Sequence, residues 1–106
     1  MKMEFSEGKG IGVVDMGGDV YVNFTSDNPI KWVMVSAKVR SKDGYVEKLT
    51  DFVPVNSFKT SIPRDIKKHM KKKDLDKLSG SIKKRINSNG YLTQKSVESI
   101  YTELFT

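Results

Sequence analysis

The first half of the chain alternates apolar and polar residues in a pattern typical of β-strands. In the segment "VYVNF", Val20, Val22 and Phe24 alternate with Tyr21 and Asn23. Successive side chains of a strand point to opposite faces of a sheet, so this period of two predicts one buried face and one exposed face.

The run "KWVMVSAKVR" repeats this alternation over a longer stretch. One predicted face carries Val33, Val35, Ala37 and Val39, and the other carries Trp32, Met34, Ser36 and Lys38. Trp32 also fits a core position, because a small sheet needs at least one of its faces covered by other elements.

One glycine pair and one Asp-Gly pair separate these strands. Gly17-Gly18 and Asp43-Gly44 predict tight hairpin turns, since glycine readily adopts the positive φ that such turns require. Pro54 in "YVEKLTDFVPV" favours an edge position or a bulge for the last strand. Together these signals predict a four-stranded antiparallel meander over residues 10–55, either an open sheet or a small SH3-like barrel.

The second half changes to a helical period. Pro63 suits a first helical turn, and Ile66 and Met70 are the apolar positions of a short helix in "RDIKKHMKK". A stripe at spacings of three, four and four then predicts a helix over about residues 74–88, ended by Gly90 as a left-handed residue. The members of that stripe are Leu75, Leu78, Ile82 and Ile86.

A last helix follows this turn. Thr93 is its predicted N-cap, and the positions i, i+3, i+4 and i+7 that begin at Val97 make an apolar face. Two helices joined by a short turn predict a helical hairpin that covers one face of the sheet. The fold class is therefore α+β in one domain, residues 1–106, with a β-rich half at 10–55 and a basic helical half at 63–105.

Charge is concentrated in the middle of this helical half. The chain has 106 residues and a net charge of +6, yet the segment from Pro63 to Arg85 alone carries +7 and the rest −1. Self-repulsion of this kind indicates a polyanionic partner, such as nucleic acid or an acidic protein surface. The basic residues of the segment are Arg64, Lys67, Lys68, Lys71, Lys72, Lys73, Lys77, Lys83, Lys84 and Arg85.

Lysine predominates in this segment, which favours contact with phosphates over the bidentate reading of bases. We therefore expect a small nucleic-acid-binding accessory protein of phage-like composition, in which these residues contact DNA or RNA. Trp32, Tyr21 and Tyr45 are candidates for stacking on bases. The alternatives are a lysine-rich surface that only aids solubility, and a protein-binding inhibitor or adaptor that docks its basic face on an acidic enzyme surface.

The residues that catalysis or metal binding would need do not occur together. The chain has no cysteine, and its only histidine, His69, lies among lysines without a second imidazole nearby in sequence. We expect no enzyme activity, no metal and no cofactor. A membrane-spanning helix needs about 20 apolar residues, and no apolar run in the chain approaches this length. The first residues lack the apolar region of a secretory signal. The expected location is therefore cytoplasmic.

Overall fold

The computed structural model describes residues 3–8 and 11–105. It is an α+β structure in which one antiparallel sheet is followed by helices. The strands are β1 (Glu4–Gly8), β2 (Ile11–Gly17), β3 (Val20–Phe24), β4 (Trp32–Arg40) and β5 (Val46–Pro54). The helices are α1 (Phe58–Ser61), α2 (Arg64–Lys67), α3 (Lys72–Arg85) and α4 (Gln94–Phe105), and a 3₁₀ turn, Val55–Ser57, precedes α1.

The sheet is an open meander with strand order β1-β2-β3-β4-β5. The predicted count of four strands is wrong, because β1 pairs with β2 from Glu4↔Asp15 to Gly8↔Ile11. In the segment "EFSEG" Phe5 is the only large apolar residue, so no alternation marks it as a strand. The predicted first residue of the sheet, Gly10, lies outside the described residues.

Both predicted hairpin turns are confirmed. Gly17 and Gly18 have φ of 80° and 61° between β2 and β3, and Asp19 continues at 63°. In the β4–β5 turn the amide of Gly44, at φ 86°, donates to the carbonyl of Ser41 over 3.0 Å. β5 is an edge strand and Pro54 is its last residue, as the position of proline indicates.

The helical half differs from its predicted bounds. The short basic helix ends at Lys67 and continues as a turn in which His69 donates to Ile66 and Met70 to Lys67. This tighter i→i+3 bonding lets the chain change direction before α3, which begins at Lys72.

Two further boundaries need correction. α3 ends at Arg85, because Ile86 is already extended, and Gly90 closes a separate turn in which its amide donates to Asn87 over 2.9 Å. Residues 56–62 lie between the two predicted halves and carry no clear periodicity in the sequence. They are mostly helical, and Phe58 within them is buried.

The core lies between one face of the sheet and the helices. On one face of β3 and β4 the apolar residues of the alternating pattern are inaccessible or nearly so: Val20, Val22, Phe24, Val33, Val35 and Ala37. Val39, the last residue of this pattern, is partly buried. We call this face of the sheet the inner face, and its opposite the outer face. The helices close the core with Leu75, Leu78 and Ile82 of α3 and Val97 and Ile100 of α4.

A backbone bridge and an N-cap set the position of α4. Ile30, before β4, and Leu92, before α4, exchange backbone hydrogen bonds of 2.7 and 2.9 Å. The Thr93 hydroxyl accepts the amide of Ser96 over 3.1 Å, which confirms the predicted N-cap. The start of α4 is thus fixed to the loop between β3 and β4. No helix in the described part of the chain is long and apolar enough to cross a membrane.

Leu78→Ala should destabilise the fold by about 3 kcal/mol, because Leu78 is fully buried and its truncation leaves a cavity under α3. Urea unfolding followed by circular dichroism measures this loss. Lys77→Ala, on the exposed side of the same helix, is the matched control and should change stability by less than about 0.5 kcal/mol. Equal losses in the two variants would contradict the burial of this face of α3.

Candidate nucleic-acid interface

The exposed side of α3 carries most of the predicted phosphate-contacting lysines. Because the helix advances about 100° per residue, Lys72 and Lys83 lie about 20° apart, on the side that faces α1. Lys73 and Lys77, one turn apart, point away from the core. All four are exposed and form no salt bridge with any described residue.

A groove of about 490 Å³ separates α3 from the 3₁₀ turn and α1. Its apolar floor is formed by Val55, Phe58 and Ile86, and its charged rim by Lys59, Asp76 and Lys83. Gly80 lies between the charged positions of α3, and a Cβ atom there would meet nothing within 4 Å. The middle of the groove is therefore open to a ligand as well as to solvent.

Asp76 is the carboxylate at the centre of this charge cluster. Its Oδ1 lies 2.6 Å from Nζ of Lys59, and this hydrogen bond is the main cause that lowers the pKa of Asp76. Partial desolvation opposes the shift, whereas the charges of Lys59, Lys72 and Lys67 add to it. Three lysines thus act on one aspartate, and Lys83 lines the same groove.

Lys67 is held towards this cluster by the backbone. Its Nζ donates to the carbonyl oxygen of Lys59 over 2.9 Å, which links α2 to α1. Arg64 and Lys68 are exposed on α2 and on the turn after it, and Lys71 is exposed just before α3. Hence α2 adds its cations to the same helical layer that contains α3.

Lys84 and Arg85 have a different setting from the other candidates. Nη2 of Arg85 lies 2.6 Å from Oε2 of Glu103, and Lys84 contacts Oε1 of Glu103 over 3.3 Å. The Arg85 side chain is only 20% exposed and also donates to the carbonyl and hydroxyl of Ser81. These two residues join α3 to α4 in the isolated protein.

Glu103 is a residue that sequence reasoning missed. The hydrogen bond from Arg85 lowers its pKa most, and Lys84 adds to the shift, while desolvation acts in the opposite direction. It lies 18 residues after Arg85, so no local spacing marks the pair. Only the packing of the two helices, which brings the C-terminal ends of α3 and α4 together, places these charges in contact.

The three candidate stacking residues lie away from the lysines of α3. Tyr21 of β3 and Trp32 of β4 are on the outer face, which no helix of the described residues covers, and Tyr45 is 73% exposed in the β4–β5 turn. Trp32 is 50% exposed, so the alternative that it lies in the core is wrong. The helices cover the inner face alone, and the structure therefore places the aromatic and helical surfaces on opposite sides.

The outer face also contains residues that sequence reasoning did not select. Phe52 of β5 lies opposite Met34 and is 60% exposed, and Lys48 lies directly opposite Lys38. The alternation of β4 already places Met34 and Lys38 on the same face as Trp32, but the register of β5 against β4 is needed to find their partners.

The described part of the chain contains no candidate metal site. No three His, Asp or Glu side chains there lie close enough together to hold a metal ion. His69 and Asp65, separated by one helical turn, are both exposed. Neither lies in the groove between α1 and α3.

Comparison with known proteins does not place the chain in a family. No protein-family model matches it, and neither the curated proteins nor the solved structures contain a significant match. Its function is therefore inferred from the two surfaces described above, the lysine-rich side of the helical layer and the outer face of the sheet.

Glu103→Gln should lower stability at pH 7, with a loss that shrinks in acid. Because the pKa of Glu103 is lowered from 4.5 in the folded protein, ionisation stabilises the fold. That contribution is complete above pH about 5.5 and is lost as the pH falls through the folded pKa. Urea midpoints at pH 7 and pH 3 measure it.

The matched control is Glu98→Gln, an exposed glutamate of α4 that forms no salt bridge with a described residue. This variant should leave the midpoint nearly unchanged at both pH values. Added salt should reduce the effect of Glu103→Gln, because the ion pair is partly exposed. A loss that persists unchanged at pH 3 would contradict the role given to the charge.

Proposed function

We propose that this protein is a small, non-catalytic nucleic-acid-binding accessory protein that contacts phosphates through its helical layer. The contacting residues form what we call the basic helical surface: Lys59, Lys67, Lys72, Lys73, Lys77 and Lys83. The proposal depends chiefly on one observation, the gathering of Lys59, Lys67 and Lys72 around the carboxylate of Asp76, with Lys83 on the same groove.

Such a cluster opposes folding unless something compensates its repulsion. Like charges one turn apart, such as Lys73 and Lys77, cost a few tenths of a kcal/mol per pair, about 0.2–0.5. A polyanion removes this repulsion, and each phosphate that a lysine neutralises also releases a condensed counterion. Binding and relief of repulsion therefore act in the same direction on this surface.

The chemistry of the surface favours contact with the backbone over the reading of sequence. Every member is a lysine, whose compact ammonium group contacts phosphate as a point charge, whereas base recognition in the major groove relies on arginine, asparagine and glutamine. Arg85, one of two arginines in the basic segment, is bonded to Glu103. The expected binding is tolerant of sequence and strongly dependent on salt.

Charge reversal should test this surface directly. Lys72→Glu combined with Lys73→Glu should weaken binding to every sequence alike and should reduce the slope of log K against log salt by about two units for duplex DNA. Both side chains are exposed, so the fold should tolerate the change. Fluorescence anisotropy of a labelled duplex across a salt series provides the measurement.

The double variant Lys42→Glu and Lys95→Glu changes net charge equally at exposed positions of the β4–β5 turn and of α4. It should keep most of the affinity and the slope. An equal loss in this control would show that net charge alone determines binding. If no nucleic acid binds even at low salt, and a nuclease-treated pull-down yields a stoichiometric protein complex, the alternative of a protein-binding inhibitor or adaptor replaces the proposal.

A further inference from the structure

The outer face of the sheet contains a recess of about 250 Å³ between β2, β3, β4 and β5. Its apolar and aromatic walls are Val13, Tyr21 and Met34, and its polar lining includes Asn23 and Ser36. The recess is smaller than the pockets of about 300–1,000 Å³ that hold drug-sized ligands. Its size therefore suits a single flat group better than an extended molecule.

The polar side chains of this recess form no hydrogen bonds within the described part of the chain. Ser36 is 4% exposed, yet its hydroxyl forms no hydrogen bond with any described residue. The side chains of Tyr21 and Asn23 form none either. The Ser36 hydroxyl is not one of the buried polar atoms that lack a partner in the described residues, so it is accessible from the open recess and can bond a ligand there as well as water.

Two lysines at one end of the recess carry uncompensated charge. Lys38 of β4 and Lys48 of β5 lie directly opposite each other on the outer face, an arrangement that destabilises an antiparallel pair. Neither forms a salt bridge with a described residue. Two acids, Asp15 and Glu4, lie in the cross-strand row of Tyr21, and the Asp15 carboxylate accepts the amide of Gly17 over 2.9 Å. An anion between the lysines relieves the repulsion.

We infer that the outer face binds single-stranded nucleic acid and that one nucleotide occupies this recess. The base packs on the ring of Tyr21 and its polar edge meets Ser36 and Asn23, while the adjoining phosphate lies between Lys38 and Lys48. A base in a duplex has its faces stacked and its edge paired, so only an unpaired nucleotide presents both at once. The inference rests on the proposed function for its ligand, which is nucleic acid. It adds that this ligand is single-stranded and that it binds to a second surface, the outer face of the sheet.

Exposed aromatic residues extend the surface beyond the recess. Trp32 lies four residues from Ser36 on β4, about 13 Å along the strand, and Phe52 faces outwards beside Met34 on β5. Each provides an open ring on which a neighbouring base can stack without regard to sequence. The strand is therefore expected to run along β4, from the lysines at one end towards Trp32 at the other.

Trp32 is the chain's only tryptophan, so its fluorescence reports on the outer face alone. The probes are an unlabelled oligodeoxythymidine and a blunt duplex, each titrated into the full chain at low salt. The single strand should quench Trp32 as it binds. The duplex should bind with little quenching, because the basic helical surface lies on the opposite side of the molecule.

Substitutions in the recess should weaken the single strand selectively. Tyr21→Thr removes the ring but keeps a residue suited to a strand, and the affinity for oligodeoxythymidine should fall about tenfold while duplex affinity holds. Tyr21→Phe keeps the ring and should retain most of the affinity. Ser36→Val fills the floor of the recess and should reduce single-strand affinity without loss of thermal stability, since no internal hydrogen bond is broken.

Lys48→Glu has a matched control in Lys42→Glu, which makes the same charge change in the nearby exposed turn. Only Lys48→Glu should weaken the single strand markedly. If the oligonucleotide binds but Trp32 is unquenched and the Tyr21 and Ser36 variants bind normally, the inference is wrong and the basic helical surface alone explains binding. If neither probe binds at low salt, both proposals fail, and a protein that protects Trp32 from quenching by iodide would then identify the occupant of this face.

Discussion

The whole structure depends on burial of only one face of the sheet. The alternation of β3 and β4 supplies an apolar inner face, and the helices cover that face and no other. When only one face of a sheet is covered, the other face contacts water and usually carries polar residues. The outer face here nevertheless carries the exposed aromatic side chains of Trp32 and Phe52. Exposed aromatic side chains at adjacent positions are typical of contact surfaces.

The helical layer combines apolar packing with unbalanced charge. Leu78 and Ile82 bury one side of α3, and the requirement that this side be apolar confines the lysines to the rest of its circumference. Glu103 offsets the charge at the end of the helix and joins α3 to α4, while Asp76 offsets only part of the charge near α1. The remaining excess is the physical basis of the proposed phosphate contacts.

Two surfaces on opposite sides of a two-layer domain give the proposed function a particular geometry. Phosphate contact through the helices needs no unpaired base, whereas the recess beside Ser36 requires one. A protein with both can hold a single strand against a duplex, or hold two segments of one strand together. This arrangement follows from the packing of α3 on the inner face, which separates its lysines from Tyr21 and Lys48.

Local patterns in the sequence predicted the α+β class, two hairpin turns and the N-cap at Thr93, since each depends on residues near one another in the chain. They missed β1, which is recognised only by its pairing with β2, and they left open whether Trp32 lies in the core, because alternation alone does not say which face is covered. The contact of Arg85 with Glu103 and the recess at Ser36 were likewise decided by tertiary structure. Both bring together residues from separate elements, whose packing and register no local spacing encodes.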